Sequence, residues 1–250
     1  WLFYDGRGPC VVIAPWNFPL AILCGMATAS LVSGNPVVMK PAEQSSAIGH
    51  ALFVHMVEAG IPVDVVQFLP GLGEDVGAHL VRHPLVATIA FTGSKAVGLS
   101  IVEAAAKTQK GQPQVKRVVC EMGGKNAIIV DYDADLDEAV AGVMRAAFGY
   151  SGQKCSACSR VIVVGTAYVG FVERLGEACK SLQMDVAHSP GCRLGPVIDE
   201  EAHQRLLRLI ADPGQGVTAI HAGKEPGGGY FVAPALFVVD DAKHRLMQIR

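Results

Sequence analysis

The chain contains 250 residues, of which half are hydrophobic and 18% are charged. The 21 basic and 23 acidic side chains give a formal net charge of −2, which argues against a nucleic-acid-binding surface. This composition excludes a disordered chain and supplies enough apolar side chains for one large core or two smaller ones.

Several whole-chain features bear on location. The longest apolar run, residues 20–32, is shorter than the roughly 20 residues that span a bilayer, so we expect a buried helix and no membrane span. Seven cysteines, an odd number in a core-rich chain, favour a reducing compartment, and we expect the cytoplasm. The chain starts at Trp1 without a signal-peptide pattern and stops inside ordinary folded sequence, so we expect an internal piece of a longer protein.

Short β-branched runs alternate with helix-length segments along the chain. The strands look too apolar to be half-exposed, and the alternation predicts an α/β fold with a mainly parallel sheet covered by helices. The predicted helices are one capped by Ser45 or Ser46 and ended at Gly60, and further ones over residues 136–148, 171–182 and 202–210. The predicted strands cover residues 10–13, 36–39, 65–69, 88–91, 117–120, 127–130 and 161–164.

A domain boundary is expected near residues 121–125, where a predicted strand runs into a Gly-Gly pair. We therefore expect two α/β lobes, residues 1–121 and residues 122–250. The stretch of glycines and proline at residues 223–229 predicts a surface turn.

Two motifs in residues 71–83 are weak evidence for a ligand. Gly71, Gly73 and Gly77 follow a predicted strand, but their spacing is one residue longer than the Rossmann fingerprint, and the sequence has no P-loop. His79 and His83 lie one helical turn apart, but no third ligand is evident nearby. We expect helix-surface histidines and no metal.

Cys155 and Cys158 form a C-x-x-C motif, which is typical of a redox pair or of half a zinc site. Cys179 and Cys192 do not form a second such motif, so zinc is disfavoured. A thiol-redox role stays open.

Five short polar segments stand where a plain α/β core would not need them. Together, in this order, they resemble the aldehyde dehydrogenase superfamily, as does the separation of 34 residues between Glu121 and Cys155. The run FGYSGQKCSACSR at residues 148–160 most resembles the glutamate-γ-semialdehyde (1-pyrroline-5-carboxylate) dehydrogenases, which occur alone or as the second enzyme of bifunctional proline-utilisation proteins. The segments are PWNFP at 15–19, KPAE at 40–43, FTGS at 91–94, EMGGKN at 121–126 and GQKCS at 152–156.

The resemblance implies two lobes of a Rossmann-like parallel-sheet type, both incomplete here, and a thiol mechanism. A thiolate suits an aldehyde because its addition gives a thiohemiacetal that can release hydride and leave a thioester. Cys155 is the expected nucleophile, with a buried structural cysteine as the alternative. If a helix starts at Cys155, its N–H groups and Lys154 would lower the thiol pKa.

Two further residues complete the expected catalytic set. Asn17, with the Cys155 backbone N–H, resembles the donor that stabilises the oxyanion, although an Asn there could instead cap the helix after Pro19. Glu121 resembles the general base that activates water. The alternative is a solvated surface Glu, but an idle charge at the end of an apolar strand would be costly.

The resemblance also implies NAD. Residues matching Lys40 and Glu43 hold the adenosine ribose, and Ser94 contacts the pyrophosphate at a helix start. A carboxylate at Glu43 would repel a 2′-phosphate, so NAD is expected over NADP. The other implied cofactor contacts are Ile13, Ala14, Pro15, Trp16, Ala42, Gly71, Phe91, Thr92, Gly93, Val97, Met122 and Gly123, and the implied substrate contacts are Phe18, Lys154 and Ser156.

The predicted reaction is NAD-dependent oxidation of glutamate γ-semialdehyde to glutamate. We expect a small aldehyde as substrate and a homo-oligomer at full length, and a fused proline dehydrogenase domain stays open. The alternatives are another aldehyde dehydrogenase such as one for succinate semialdehyde, an acylating enzyme that uses coenzyme A, a catalytically silent structural relative, and the thiol-redox module. The family's Glu-x-Phe-Gly-Pro segment, its substrate-carboxylate loop and its oligomerisation strands would lie beyond Arg250, so a chain ending there should bind NAD weakly and turn over nothing.

Overall fold

The computed structural model describes residues 1, 3 and 5–248. The chain divides into two compact units, Trp1–Met122 and Gly123–Arg250. This division falls one residue after the boundary expected from the sequence.

The first unit contains a five-stranded sheet in which all strands are parallel. The strands are arranged in the order β3-β2-β1-β4-β5, so the chain adds strands on one side of β1 and then, from β4, on the other side. The position between β1 and β4 is the switch point, where open α/β sheets bind ligands at the carboxyl ends of their strands. The predicted parallel α/β fold is confirmed. The strands are β1 (Cys10–Ile13), β2 (Val37–Lys40), β3 (Val66–Phe68), β4 (Thr88–Gly93) and β5 (Arg117–Met122).

Four helices connect these strands and cover the sheet on both faces. Alternate residues of β1 enter different cores: Cys10 and Val12 pack with α1 and α2, whereas Val11 packs with α3 and α4. Burial on both faces explains why β1 is a continuous apolar run. The helices are α1 (Ala21–Val32), α2 (Ser46–Glu58), α3 (Ala78–Arg82) and α4 (Lys95–Ala106), with single helical turns at Glu43–Ser45 and Gly73–Gly77.

The expectation that every strand is fully buried is wrong for β5. This strand lies at the edge of its sheet, and its side chains alternate between exposed and half-buried positions. Val118, Cys120 and Met122 face the core, whereas Val119 is 51% exposed. An apolar sequence does not by itself show whether both faces of an edge strand are covered.

The second unit contains two separate pairs of strands. β6 (Asn126–Val130) and β7 (Cys158–Val163) are parallel, and helices α5 (Leu136–Phe148) and α6 (Ala167–Lys180) pack on them around Val130, Val143 and Phe171. Both strands have exposed positions, so full burial is wrong here too. The predicted helix over residues 136–148 is confirmed.

The rest of the second unit was only partly predicted. α7 (Glu200–Ala211) matches the expected helix, whereas β8 (Val217–Ala222) and β9 (Ala235–Val239) form an antiparallel pair that the sequence did not indicate. Residues 223–229 lie in the connection between these two strands, mostly as exposed chain, as expected of a turn. α8 (Arg245–Gln248) follows. No helix among the described residues is long and apolar enough to cross a membrane.

Candidate active site

The residues expected to bind the cofactor gather at the carboxyl edge of the five-stranded sheet. The register places Ile13, at the end of β1, between Lys40 of β2 and Phe91 of β4. One and two residues further along, Thr92 pairs with Glu121 and Gly93 with Met122. Residues 14–17, 41–43 and 94 follow directly from these strand ends, so three of the five polar segments meet at the switch point and its neighbours.

Lys40 and Glu43 form an ion pair beside this edge. Lys40 Nζ lies 2.9 Å from Glu43 Oε1 and donates a second hydrogen bond to the Pro41 carbonyl at 3.1 Å. The Lys40 side chain is only 3% exposed, whereas that of Glu43 is 37% exposed. Burial by itself would raise the pKa of Glu43, but the hydrogen bond and charge of Lys40, together with backbone hydrogen bonds from Glu43 and Gly73, outweigh it, so the pKa is lowered.

The loop after β3 requires glycine at position 71. Gly71 has φ +155°, and a Cβ atom there would lie 2.4 Å from Cγ2 of Val76. The same loop leads to Gly73, whose missing Cβ would lie 3.8 Å from Glu43 Oε1. This loop and the Lys40–Glu43 pair are therefore neighbours at the carboxyl ends of β2 and β3.

Ser94 begins α4 at the carboxyl end of β4. Its side-chain oxygen accepts a hydrogen bond from the Val97 N–H at 3.3 Å, as an N-cap residue does. Both residues are exposed. The start of a twelve-residue helix at a switch point presents unpaired N–H groups that suit a phosphate.

Asn17 and Phe18 lie between β1 and α1, and both are half-buried. The N-cap position of α1 is occupied by Leu20, and the helix begins at Ala21. The alternative that Asn17 caps this helix stays open. Its expected role as an oxyanion donor stays a prediction.

Glu121 is exposed on the outward-facing side of β5, and Gly123 directly follows the strand. The argument that an idle charge would be costly there is wrong, because the Glu121 carboxylate is in contact with solvent. Exposure does leave the side chain able to change rotamer, which a base acting on water requires.

Cys155 follows a backbone turn of unusual conformation. Tyr150 and Ser151 have φ values of 59° and 54° and are the only non-glycine residues with positive φ among those described; Gly152 continues the turn with φ 69°. Each left-handed non-glycine residue costs roughly 1–3 kcal/mol, and such strain clusters at functional sites. The turn ends three residues before Cys155, which is half-buried.

Contacts from residues 195–198 hold this strained turn. The Ser151 hydroxyl donates to the Gly195 carbonyl at 2.8 Å, and the Ile198 N–H donates to Oε1 of Gln153 at 3.0 Å. Sequence reasoning missed both contacts. Tyr and Ser rarely adopt left-handed φ, so no local pattern announces such a turn.

No helix begins at Cys155. Residues 154–157 form a turn closed by a hydrogen bond from the Ala157 N–H to the Lys154 carbonyl at 3.1 Å, and β7 begins one residue later. The condition that a helix starts at Cys155 is therefore not met. Two of the three expected substrate contacts flank the thiol in this turn, Lys154 half-buried and Ser156 exposed.

The second cysteine of the C-x-x-C motif is buried. The Cys158 thiol donates to the Arg160 carbonyl at 3.2 Å, and burial raises its pKa. A thiol with a raised pKa forms little thiolate and is a poor partner in thiol–disulfide exchange, which weighs against the redox alternative.

His79 and His83 have ring centroids 5.7 Å apart, and the described residues contain no group of three or more candidate metal ligands.

Comparison with known proteins identifies the family. The sequence profile of the aldehyde dehydrogenase family matches residues 2–249. Curated relatives include the 1-pyrroline-5-carboxylate dehydrogenases of Geobacillus thermodenitrificans and of Bacillus subtilis, each 42% identical over 247 residues, which is 98% of this chain and 48% of the relative.

Solved structures give the same result. Proline utilization A from Bdellovibrio bacteriovorus, inactivated by N-propargylglycine, superposes with a TM-score of 0.96 at 53% identity, covering 99% of this chain and 26% of that one. A 1-pyrroline-5-carboxylate dehydrogenase from Thermus with bound NAD gives a TM-score of 0.94 at 44% identity, covering 98% of this chain and 47% of that one.

The chain belongs to the aldehyde dehydrogenase family, as the polar segments predicted. The curated relatives named above are all 1-pyrroline-5-carboxylate dehydrogenases, the group that the Cys155 segment resembles. The chain spans about half the length of these relatives.

Proposed function

We propose that the full-length protein oxidises L-glutamate γ-semialdehyde to L-glutamate with NAD as the oxidant. The names of relatives at 42% identity support this substrate, and the Thermus structure with bound NAD supports this cofactor. The observation in this chain that carries the proposal is the strained turn at Tyr150 and Ser151, which leads into the loop of Cys155, the one polar-loop thiol that family resemblance marks as nucleophile.

The carboxyl edge of the first unit has the chemistry that a dinucleotide requires. Glu43 can accept hydrogen bonds from ribose hydroxyls, and its negative charge disfavours a 2′-phosphate. Gly71 leaves space where a side chain would collide with Val76, and Ser94 begins a helix suited to a pyrophosphate. We propose that these residues hold NAD, together with the other cofactor contacts implied by the resemblance.

The first half of the proposed mechanism converts the aldehyde into a thioester on Cys155. The Cys155 thiolate forms a C–S bond to the aldehyde carbon, and the carbonyl electron pair moves onto oxygen. The Asn17 amide and the Cys155 backbone N–H donate hydrogen bonds to that oxyanion. When the oxyanion collapses, the C–H bond breaks with its electron pair and a thioester remains. NAD, when bound, supplies the acceptor for this hydride.

Hydrolysis then completes the cycle. We propose that Glu121 removes a proton from water, whose oxygen attacks the thioester carbon, so that the C–S bond breaks and Cys155 leaves as thiolate. An enzyme that passed the thioester to coenzyme A would not need this carboxylate. We therefore assign hydrolysis, with Phe18, Lys154 and Ser156 as substrate contacts.

Several properties of the whole protein belong to the same proposal. We assign NAD binding to residues 1–121 and the thiol chemistry to residues 122–250, in a homo-oligomer. All seven cysteines are free thiols, which supports a reducing compartment such as the cytoplasm. The similarity to proline utilization A supports a fused proline dehydrogenase domain, and the mass of the full-length protein tests it.

The test is reduced-nicotinamide formation by the full-length protein with NAD or NADP. The panel contains glutamate semialdehyde, succinate semialdehyde and simple aldehydes, and the variants are Cys155→Ala and Cys158→Ser. We expect NAD-linked turnover of glutamate semialdehyde that is abolished by Cys155→Ala and kept by Cys158→Ser. Preference for succinate semialdehyde would overturn the proposed substrate. Loss of activity in Cys158→Ser would favour the thiol-redox alternative, and no turnover of any aldehyde would favour a catalytically silent relative.

A further inference from the structure

We propose that Asn126 is a positioning residue whose side-chain amide holds the turn that carries Cys155. The inference rests on the proposed function, in which Cys155 is the nucleophile. Neither the sequence pattern nor the comparisons assign a role to Asn126.

Asn126 makes two hydrogen bonds to this turn from one side-chain group. Its Nδ2 atom donates to the carbonyl of Cys155 at 2.7 Å and to the carbonyl of Ala157 at 3.1 Å. One amide NH2 group has two hydrogens, and these two acceptors use both. The turn is thus tied to β6 through the carbonyl of Cys155 and through the carbonyl of Ala157.

A bulge between β6 and β7 brings Asn126 to this position. Asn126 pairs with Cys158, whereas the next residue, Ala127, pairs with Arg160, so one residue of β7 is extra. A bulge of this kind redirects a side chain and is often found next to an active site. The hydroxyl of the extra residue, Ser159, donates to the main-chain carbonyl of Asn126 at 3.4 Å.

The two Asn126 hydrogen bonds, which together we call the clamp, act against strain on the N-terminal side of Cys155. Tyr150, Ser151 and Gly152 are held in left-handed conformations just before the turn, and the Lys154–Ala157 hydrogen bond is the turn's own closure. Without the Asn126 amide, the Cys155–Ser156 peptide unit can rotate, and the backbone of Cys155 shifts with it as the preceding strain relaxes. Both the thiol and the Cys155 N–H to which we assign the oxyanion would then be misplaced, and a displacement of about 1 Å can cost roughly 100-fold in rate.

Two variants separate the amide from the rest of the side chain. Asn126→Ala removes the group, whereas Asn126→Asp keeps its shape but replaces the donor with a charge that repels both carbonyls. Ser159→Ala is the matched control, because it removes a neighbouring hydrogen bond and leaves the amide in place. Because Asp preserves the shape, that variant carries the test even if the Ala variant does not fold.

We expect both Asn126 variants of the full-length protein to lose at least about tenfold in kcat while KM stays within about threefold, since substrate contacts remain. Ser159→Ala should retain kcat within about twofold of the unmodified protein. A kcat that is unchanged in folded Asn126→Asp would overturn the proposal, as would an equal loss in Ser159→Ala. A KM that rises in proportion would mean lost binding and would overturn it too.

Amide hydrogen exchange of residues 154–157 tests the clamp without substrate or cofactor. We expect faster exchange in both Asn126 variants and no change in Ser159→Ala, with α5 and α6 unaffected. Exchange that stays the same in this turn refutes the clamp. If the protein oxidises no aldehyde, the proposed function fails, and this measurement still decides whether Asn126 holds the turn.

Discussion

The ion pair between Lys40 and Glu43 predicts a measurable coupling energy. The Glu43→Gln variant removes the carboxylate partner of the Lys40 ammonium, whose side chain is 3% exposed, and leaves the hydrogen bond from Lys40 to the Pro41 carbonyl in place. Breaking a fully buried pair costs about 3–5 kcal/mol, whereas surface pairs contribute about 0–1 kcal/mol. Because the Glu43 side chain is 37% exposed, we expect an intermediate coupling of about 1–2 kcal/mol.

A double-mutant cycle with Glu43→Gln, Lys40→Met and the double variant measures this coupling by urea unfolding. The only two tryptophans, Trp1 and Trp16, lie in the first unit, so their fluorescence follows the unit that holds the pair. At neutral pH the double variant should be more stable than the sum of the single effects predicts. A coupling below about 0.3 kcal/mol would refute the reasoning.

The pH dependence gives the sign of the same interaction. The pKa of Glu43 is lowered from its ordinary value of 4.5 in the folded chain, so its stabilisation is fully present above that value. The stabilisation is lost as the pH falls through the lower folded-state pKa. The difference between the unmodified chain and Glu43→Gln should therefore shrink on acidification, and a difference that grew would contradict the assignment.

Two further predictions use matched pairs of residues. Gly71→Ala should destabilise the first unit by about 1–3 kcal/mol, because the new Cβ meets Val76 at 2.4 Å. Gly25→Ala in α1 should stabilise it by about 0.5–1 kcal/mol, since nothing lies within 4 Å of the new Cβ. Equal effects of the two substitutions in urea unfolding would contradict the close packing of Gly71 against Val76. Burial raises the pKa of Cys179 to about 11, so this thiol should stay unmodified by iodoacetamide at pH 8, whereas the half-buried Cys155 should be labelled. Peptide mapping measures both, and labelling of Cys179 before Cys155 would contradict the burial of Cys179 in the core.

The sequence predicts the first unit well because its signals are local. The run of four apolar residues from Cys10 to Ile13 indicates a strand buried on both faces, and Ser46 and Gly60 indicate the two ends of the helix α2. Once the strands are parallel, their carboxyl ends meet at one edge, so segments that follow different strands become neighbours.

What the sequence does not predict depends on tertiary packing. The exposure of Glu121 follows from the position of β5 at the edge of its sheet, which no property of the strand itself determines. The left-handed turn at Tyr150 and Ser151 is held by residues about 45 positions later in the chain. The role of Asn126 depends on a one-residue shift in register that a strand pattern does not reveal.

The proposed mechanism is tested most directly by trapping its covalent intermediate. In the full-length Glu121→Gln variant, mixed with NAD and glutamate semialdehyde, thioester formation should proceed while hydrolysis is blocked. We expect about one reduced nicotinamide per chain, and intact mass and peptide mapping should show one acyl group on Cys155. An acyl group on another residue, or unimpaired turnover with no adduct, would contradict the assignment of Cys155 as nucleophile and Glu121 as base.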